Sequence, residues 1–263
     1  MSIGALAAAT VAAALTLLPA GCATGRRAAP APAGKTASPL RDSRQLVLVV
    51  ADDWNAAAAA MQCYERDGPT APWRPVGPRT SVTVGRTGLA WGRGLHGRAP
   101  LPGPIKREGD GKSPAGAFAL PFAFGYAPAE RAGELKLPYL PLTTDVVGVD
   151  DPNSAHYNRL VHASRLPAKD WTSAETMRRA DGLYEWGVFV AHNTAPPAAG
   201  AGSCIFLHVW AGPGKPTAGC TAMDRREVLR LLRWLDGRAR PALVQLPRSA
   251  LRSLAGPWRL PEF

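Results

Sequence analysis

"WGVFVAHN" (186–193), "CIFLHVW" (204–210) and "DRREVLRLLRWLD" (224–236) lie within one stretch of about fifty residues, and their reading decides the fold. The first two are short apolar runs joined by a Pro/Gly/Ala loop, the pattern of buried strands. The third opens with Asp224 and Glu227 in a capping-box relation. It sets Val228, Leu229, Leu231, Leu232 and Leu235 on one broad face and stops at Gly237, so it predicts a helix. Working outward, "RQLVLVV" (44–50), "AAMQCYER" (59–66), "TSVTVG" (80–85), "AGAFAL" (115–120) and "ALVQLP" (242–247) read as further strands, with turn signals between them. Ala56–Ala60 is compatible with either a helical turn or strand. "TSAETMRRA" (172–180), with Thr172 and Glu175 in capping-box spacing, predicts a second helix. The expectation is a mostly β domain over 44–263, a sandwich or half-open barrel with one or two packed helices, rather than a βαβ fold.

The composition agrees. The 263 residues include 27 Gly and 26 Pro, suited to short strands and shaped loops, and 46% are apolar, enough for a core. The formal net charge of +11 favours an anionic partner. No helix-turn-helix pattern, aromatic RNA-binding strand or run of five basic residues is present, so nucleic acid is not the expected partner. Residues 3–18 are apolar and uncharged, too short for a comfortable membrane span but of signal-peptide length. With "PAGC" they predict export to the periplasm or cell envelope, with a lipoprotein-type processing site at Cys22 and possible membrane attachment there. Pro19 and the absence of Lys or Arg ahead of the apolar core depart from that pattern. Residues 23–43, rich in Ala, Pro, Gly and Ser, read as a flexible linker.

The chemistry centres on "FLHVWAGPGKPTAGCTAM" (206–223). A cysteine attacks as thiolate, so its surroundings must supply a base or lower its pKa. His208, at the end of a strand, is the candidate base for Cys220, and the start of the 224–236 helix is a second source of stabilisation. Gly219 leaves room for a carbonyl to approach the backbone, the N–H groups of 218–220 are candidate oxyanion donors, and Thr217 can fix the loop. His192, also at the end of an apolar run, is the rival base. A zinc site of His192, His208 and Cys220 lacks supporting ligand spacing, so no metal is expected.

Two separated segments carry a resemblance. "GDGKSPAGAF" (109–118) and the set His208, Thr217, Gly219, Cys220 resemble motifs of the L,D-transpeptidase (YkuD-like) family of bacterial cell-wall enzymes. There the histidine is followed by glycine, and Ser-x-Gly-Cys-x-Arg follows. Here Val209, Thr217 and Ala222 stand in the places of glycine, serine and arginine, which marks a divergent branch. Arg225 or Arg159 is the expected substitute for the missing arginine. Tyr157, with Asn158 and Arg159 in "DPNSAHYNRL", is a candidate lining of the substrate cleft.

The resemblance implies acyl transfer on peptidoglycan stem peptides without a cofactor. Cys220 would attack the carbonyl of an L-configured centre and expel D-alanine, with His208 taking the thiol proton. An amine of a second stem would then resolve the thioester into a 3→3 cross-link. Water would instead give a tripeptide, the hydrolase alternative, and a non-catalytic wall-binding lipoprotein is the third reading. Asp110 is expected to pin a turn. With Cys22 lipidated and Cys220 free, Cys63 could pair with Cys204, while a Cys204–Cys220 bridge would block the nucleophile.

Overall fold

A computed structural model of the chain describes residue 1 and residues 38–263. The expected signal segment with Cys22, and the linker as far as residue 37, lie outside the described residues. The described part is mostly β. Its strands are β1 (Gln45–Ala51), β2 (Ala58–Glu65), β3 (Arg74–Thr83), β4 (Leu89–Trp91), β5 (Ser113–Ala119), β6 (Ala123–Gly125) and β7 (Tyr139–Pro141). There follow β8 (Val146–Val149), β9 (Arg159–His162), β10 (Ala174–Thr176), β11 (Trp186–Phe189), β12 (Phe206–Val209), β13 (Thr221–Met223) and β14 (Ala242–Pro247). The two α-helices are α1 (Arg225–Trp234) and α2 (Arg248–Trp258).

Eleven strands form one mixed sheet in the order β4-β5-β14-β1-β2-β3-β13-β12-β11-β6-β7, and β10-β8-β9 form a small separate sheet. β1 is buried along its whole length and pairs parallel with β14 and antiparallel with β2, which explains its unbroken apolar run. Helix α1 begins as expected, with the Asp224 carboxylate accepting from the Arg226 N–H at 2.8 Å, and buries Val228, Leu231 and Leu232 in the main core.

Four expectations are corrected. Residues 172–180 form no helix. The Thr172 hydroxyl donates to Asp151 at 2.8 Å and Glu175 accepts from Tyr184, so the capping partners are used in tertiary contacts. Strand β10 pairs with β8 instead, placing Glu175 opposite Gly148. The second helix is α2, which buries Ala250, Leu251, Leu254 and Trp258 although Pro247 gives it no side-chain cap. The packed chain begins before residue 44. Leu40 is fully buried, the Ser38 hydroxyl donates to Trp258 O at 2.7 Å, and the Arg66 guanidinium holds the carbonyls of Ser43 and Leu40. Finally, Cys63, Cys204 and Cys220 are all free and buried. Cys63 packs in the main core, whereas Cys204 and Cys220 share a second apolar cluster with Phe124, Tyr184 and Phe206. Of the open alternatives, residues 58–60 are strand.

Candidate active site at Cys220

Strands β12 and β13 are parallel neighbours, with Leu207 beside Thr221 and His208 beside Ala222. Parallel neighbours cannot be joined by a tight hairpin, so the chain must travel back from the end of β12 to the start of β13. That return is the Gly/Pro-rich loop of residues 210–220, and it delivers Cys220 beside the start of β12. The Phe206 N–H accordingly points at Cys220 Sγ from 3.4 Å. His208 lies two residues further along β12, about 7 Å at the usual strand rise, on the same face.

The loop is tied down at the Cys220 carbonyl, which accepts from both Thr217 Oγ1 at 2.6 Å and Ser113 Oγ at 2.8 Å. Ser113 Oγ in turn accepts from the Gly85 N–H at 2.8 Å. Ser113 belongs to "GDGKSPAGAF", so the two separated motifs meet in space. Asp110 in the same segment accepts from the N–H groups of Arg107 and Lys112, at 2.8 and 2.9 Å, and from Lys106 Nζ at 2.5 Å, and so closes a turn. Gly219 packs closely, since a Cβ there would stand 3.2 Å from Lys112 O, tighter than most such contacts. Its N–H is used by Thr217 Oγ1 at 3.1 Å, which removes it from the expected set of oxyanion donors.

Cys220, Gly219, Thr217 and His208 line one open cavity of about 470 Å³. The cavity also carries Lys106, Arg179 and Lys215 among Glu108, Asp150 and Glu175, with Tyr184, Ser203, Cys204 and Trp210. Among the expected residues, four lie off it. His192 is buried elsewhere. Its Nδ1 accepts from the Arg93 N–H at 3.2 Å, its Nε2 faces Ala201 O at 3.0 Å, and burial lowers its pKa to about 4. Arg225 is committed to a two-pronged ion pair with Glu185, at 2.7 and 2.8 Å. Arg159 is exposed on β9. Tyr157 stands one step behind the wall, its hydroxyl donating to Glu108, which also accepts from Ser203 at 2.8 Å. The cations facing the cavity are therefore Lys106, Arg179 and Lys215, which no motif marked.

The electrostatics correct a further expectation. Burial drives the Cys220 thiol up to about 12, and the nearby Glu175 charge adds to the rise. The N-terminus of α1 is capped by Asp224, and none of its N–H groups is among the hydrogen-bond partners of the sulfur. Cys220 is thus a neutral thiol at neutral pH, and an attack needs a proton acceptor. His208 is buried and neutral, its pKa lowered by burial to about 4. Its Nδ1 lies 2.7 Å from Val209 O, and the Leu183 backbone also bonds the ring, so the imidazole is held by backbone acceptors. Cys220 Sγ accepts from the Phe206 N–H and donates to Cys204 O at 3.6 Å, and no hydrogen bond joins it to His208.

Comparison with known proteins found no matching family model and no matching curated protein.

Proposed function

We propose that this protein is a cysteine acyltransferase of the L,D-transpeptidase type, acting on peptidoglycan stem peptides in the cell envelope. On this reading its mixed sheet is a divergent form of the fold of that family, and residues 1–22 direct its export. The observation that carries the reading is the meeting of "GDGKSPAGAF" with Thr217-Ala218-Gly219-Cys220 at one carbonyl, beside an open cavity that also holds His208. Motifs that match by coincidence have no reason to fold against each other.

The chemistry follows from the site's parts. Cys220 Sγ attacks the carbonyl of the L-configured centre, the leaving D-alanine takes up a proton, and a thioester remains on the enzyme. His208 is the base that the resemblance implies. Lys106, Arg179 and Lys215 suit the carboxylates of a stem peptide, and Glu175 with Asp150 suits an incoming ammonium. An amine acceptor gives a cross-link, and water gives a tripeptide. The test is incubation with purified disaccharide-tetrapeptide and mass spectrometry of the products. A dimer lacking one D-alanine is expected. Products unchanged from those of Cys220→Ala would refute the assignment.

A further inference from the structure

Most of "GRGLHGRAPLPGPIK" (92–106) takes no part in the chemistry above, and two of its large apolar side chains stay in water. Apart from Met1, Leu95 and Ile105 are the exposed large apolar residues among the described residues, at 47% and 58%. A fixed backbone holds both of them out. The Leu95 N–H donates to Ala117 O at 2.8 Å within a tight Gly94–Gly97 turn. The neighbouring His96 points inward, its Nδ1 accepting from the Ala117 N–H at 3.1 Å. Ile105 is bridged to Trp91 on β4, between the bonds Trp91 N–H to Pro104 O at 2.7 Å and Lys106 N–H to Trp91 O at 2.9 Å. Successive side chains alternate on such an extended edge, so Lys106 turns in toward Asp110 and Ile105 turns out.

Leu95 and Ile105 line one groove of about 790 Å³, whose walls include the small residues Gly92, Ala119 and Ala191. Its charge is of one sign. Arg93 and Arg98 stand exposed on it, neither ion-paired among the described residues, and no described Asp or Glu lines it. Exposed apolar residues scattered singly mean little, but a pair sharing a groove with free cations suits an anionic partner that also carries apolar groups. The groove adjoins the Cys220 cavity. Lys106 lines both, and Ala201 and Ser203, two residues apart, line one each. One extended ligand can therefore occupy both.

We infer that this groove is a second subsite, which holds one carboxylate-bearing stem of the wall polymer while a neighbouring stem reacts at Cys220. The inference rests on the peptidoglycan reading above. The carboxylates of the held stem meet Arg93 and Arg98, and its alanine methyl groups meet Leu95 and Ile105. Because the backbone of the groove is already fixed, little of the binding energy is lost in ordering it. A stem held there raises the effective concentration of its neighbours at Cys220, so the subsite acts on a polymer and not on a single stem.

The test is fluorescence anisotropy with two labelled ligands, uncross-linked glycan strands carrying several tetrapeptide stems and the single disaccharide-tetrapeptide. The full chain is used with Cys220→Ala, so that nothing reacts, and each further variant is checked for fold by circular dichroism. Replacing Arg93 and Arg98 together by Ala is expected to weaken strand binding at least tenfold and single-stem binding less than twofold. Replacing Leu95 and Ile105 together by Ser is expected to weaken strand binding about threefold, and added salt should weaken wild-type strand binding. Unchanged strand binding in the arginine variant would overturn the inference. So would an equal loss for both ligands, or binding to phosphatidylglycerol vesicles through the same arginines with no binding to strands. The acyl adduct on Cys220 is measured separately in the wild-type chain. Arginine-dependent strand binding without an adduct would count against the transpeptidase reading and keep the subsite, whereas an adduct without arginine-dependent binding would overturn the subsite alone.

Discussion

Removing the Ser113 hydroxyl tests whether the two motifs depend on each other. Its side chain is fully buried and makes two 2.8 Å hydrogen bonds, donating to Cys220 O and accepting from Gly85 N. Ser113→Ala deletes both and leaves the Gly85 N–H without its partner, while Cys220 O keeps Thr217. At about 1 kcal/mol net per lost bond, with about 1–3 kcal/mol for a buried donor left unpaired, the expected loss is about 2–4 kcal/mol. For a domain of this size, 1 kcal/mol corresponds to about 2–4 °C, so Tm should fall by about 4–16 °C. The assay is urea and thermal unfolding of Ser113→Ala, Thr217→Val and the double variant. Because both hydroxyls share the Cys220 carbonyl, the two effects should not add, and the double variant should show a coupling of about 0.5 kcal/mol or more. A loss below about 0.5 kcal/mol for Ser113→Ala, or strict additivity, would refute the idea that this carbonyl ties the motifs together.

Further outcomes follow from the same geometry. At neutral pH iodoacetamide should modify Cys220 more slowly than a free cysteine, by about a hundredfold, because its pKa of about 12 lies well above the ordinary value near 8.5. Equal rates would contradict the buried neutral thiol. Leu40→Ala should destabilise the fold by about 2–5 kcal/mol in urea unfolding, as expected of a fully buried leucine and not of a linker residue. His192 and His208, both near 4 when folded and about 6.5 unfolded, bind protons more readily in the unfolded chain. Their contribution to stability is therefore complete above pH 6.5 and declines as pH falls toward 4, and His192→Gln should flatten that part of the stability–pH curve. Asp151 behaves as a carboxylate held down to about 2 by the N–H groups of Thr172 and Asn153 and by the Thr172 hydroxyl. Its contribution is present above about pH 4 and lost toward pH 2, a slope that Asp151→Asn should remove.

How much of this was legible depended on whether the signal was local. The long apolar strands β1, β2 and β14 and the capped helix α1 announced themselves, because periodicity and caps are properties of neighbouring residues. Helix α2 carries a helical spacing in Ala250, Leu251, Leu254 and Trp258, but it has no polar cap and holds Gly256 and Pro257 near its end. The segment 172–180 shows the opposite failure. Thr172 and Glu175 have capping-box spacing, yet Asp151 and Tyr184 compete for them and win. At the site, Cys220, Thr217 and Gly219 were readable from one motif. Lys106, Glu175, Arg179 and Tyr184 come from three other segments and meet only because the small β10-β8-β9 sheet and the 106–110 turn fold onto the loop. No sequence spacing records that meeting. The histidines illustrate the same limit, since two similar apolar runs end in His192 and His208 and only the second reaches the cavity.

The most direct measurement on the central claim is intact-protein mass spectrometry after brief incubation with disaccharide-tetrapeptide and acid quench. The account predicts a thioester adduct equal to the donor minus D-alanine, located on the Cys220 peptide and absent from Cys220→Ala. Release of D-alanine by Cys220→Ala at the wild-type rate, or neither adduct nor turnover in the wild type, would contradict it.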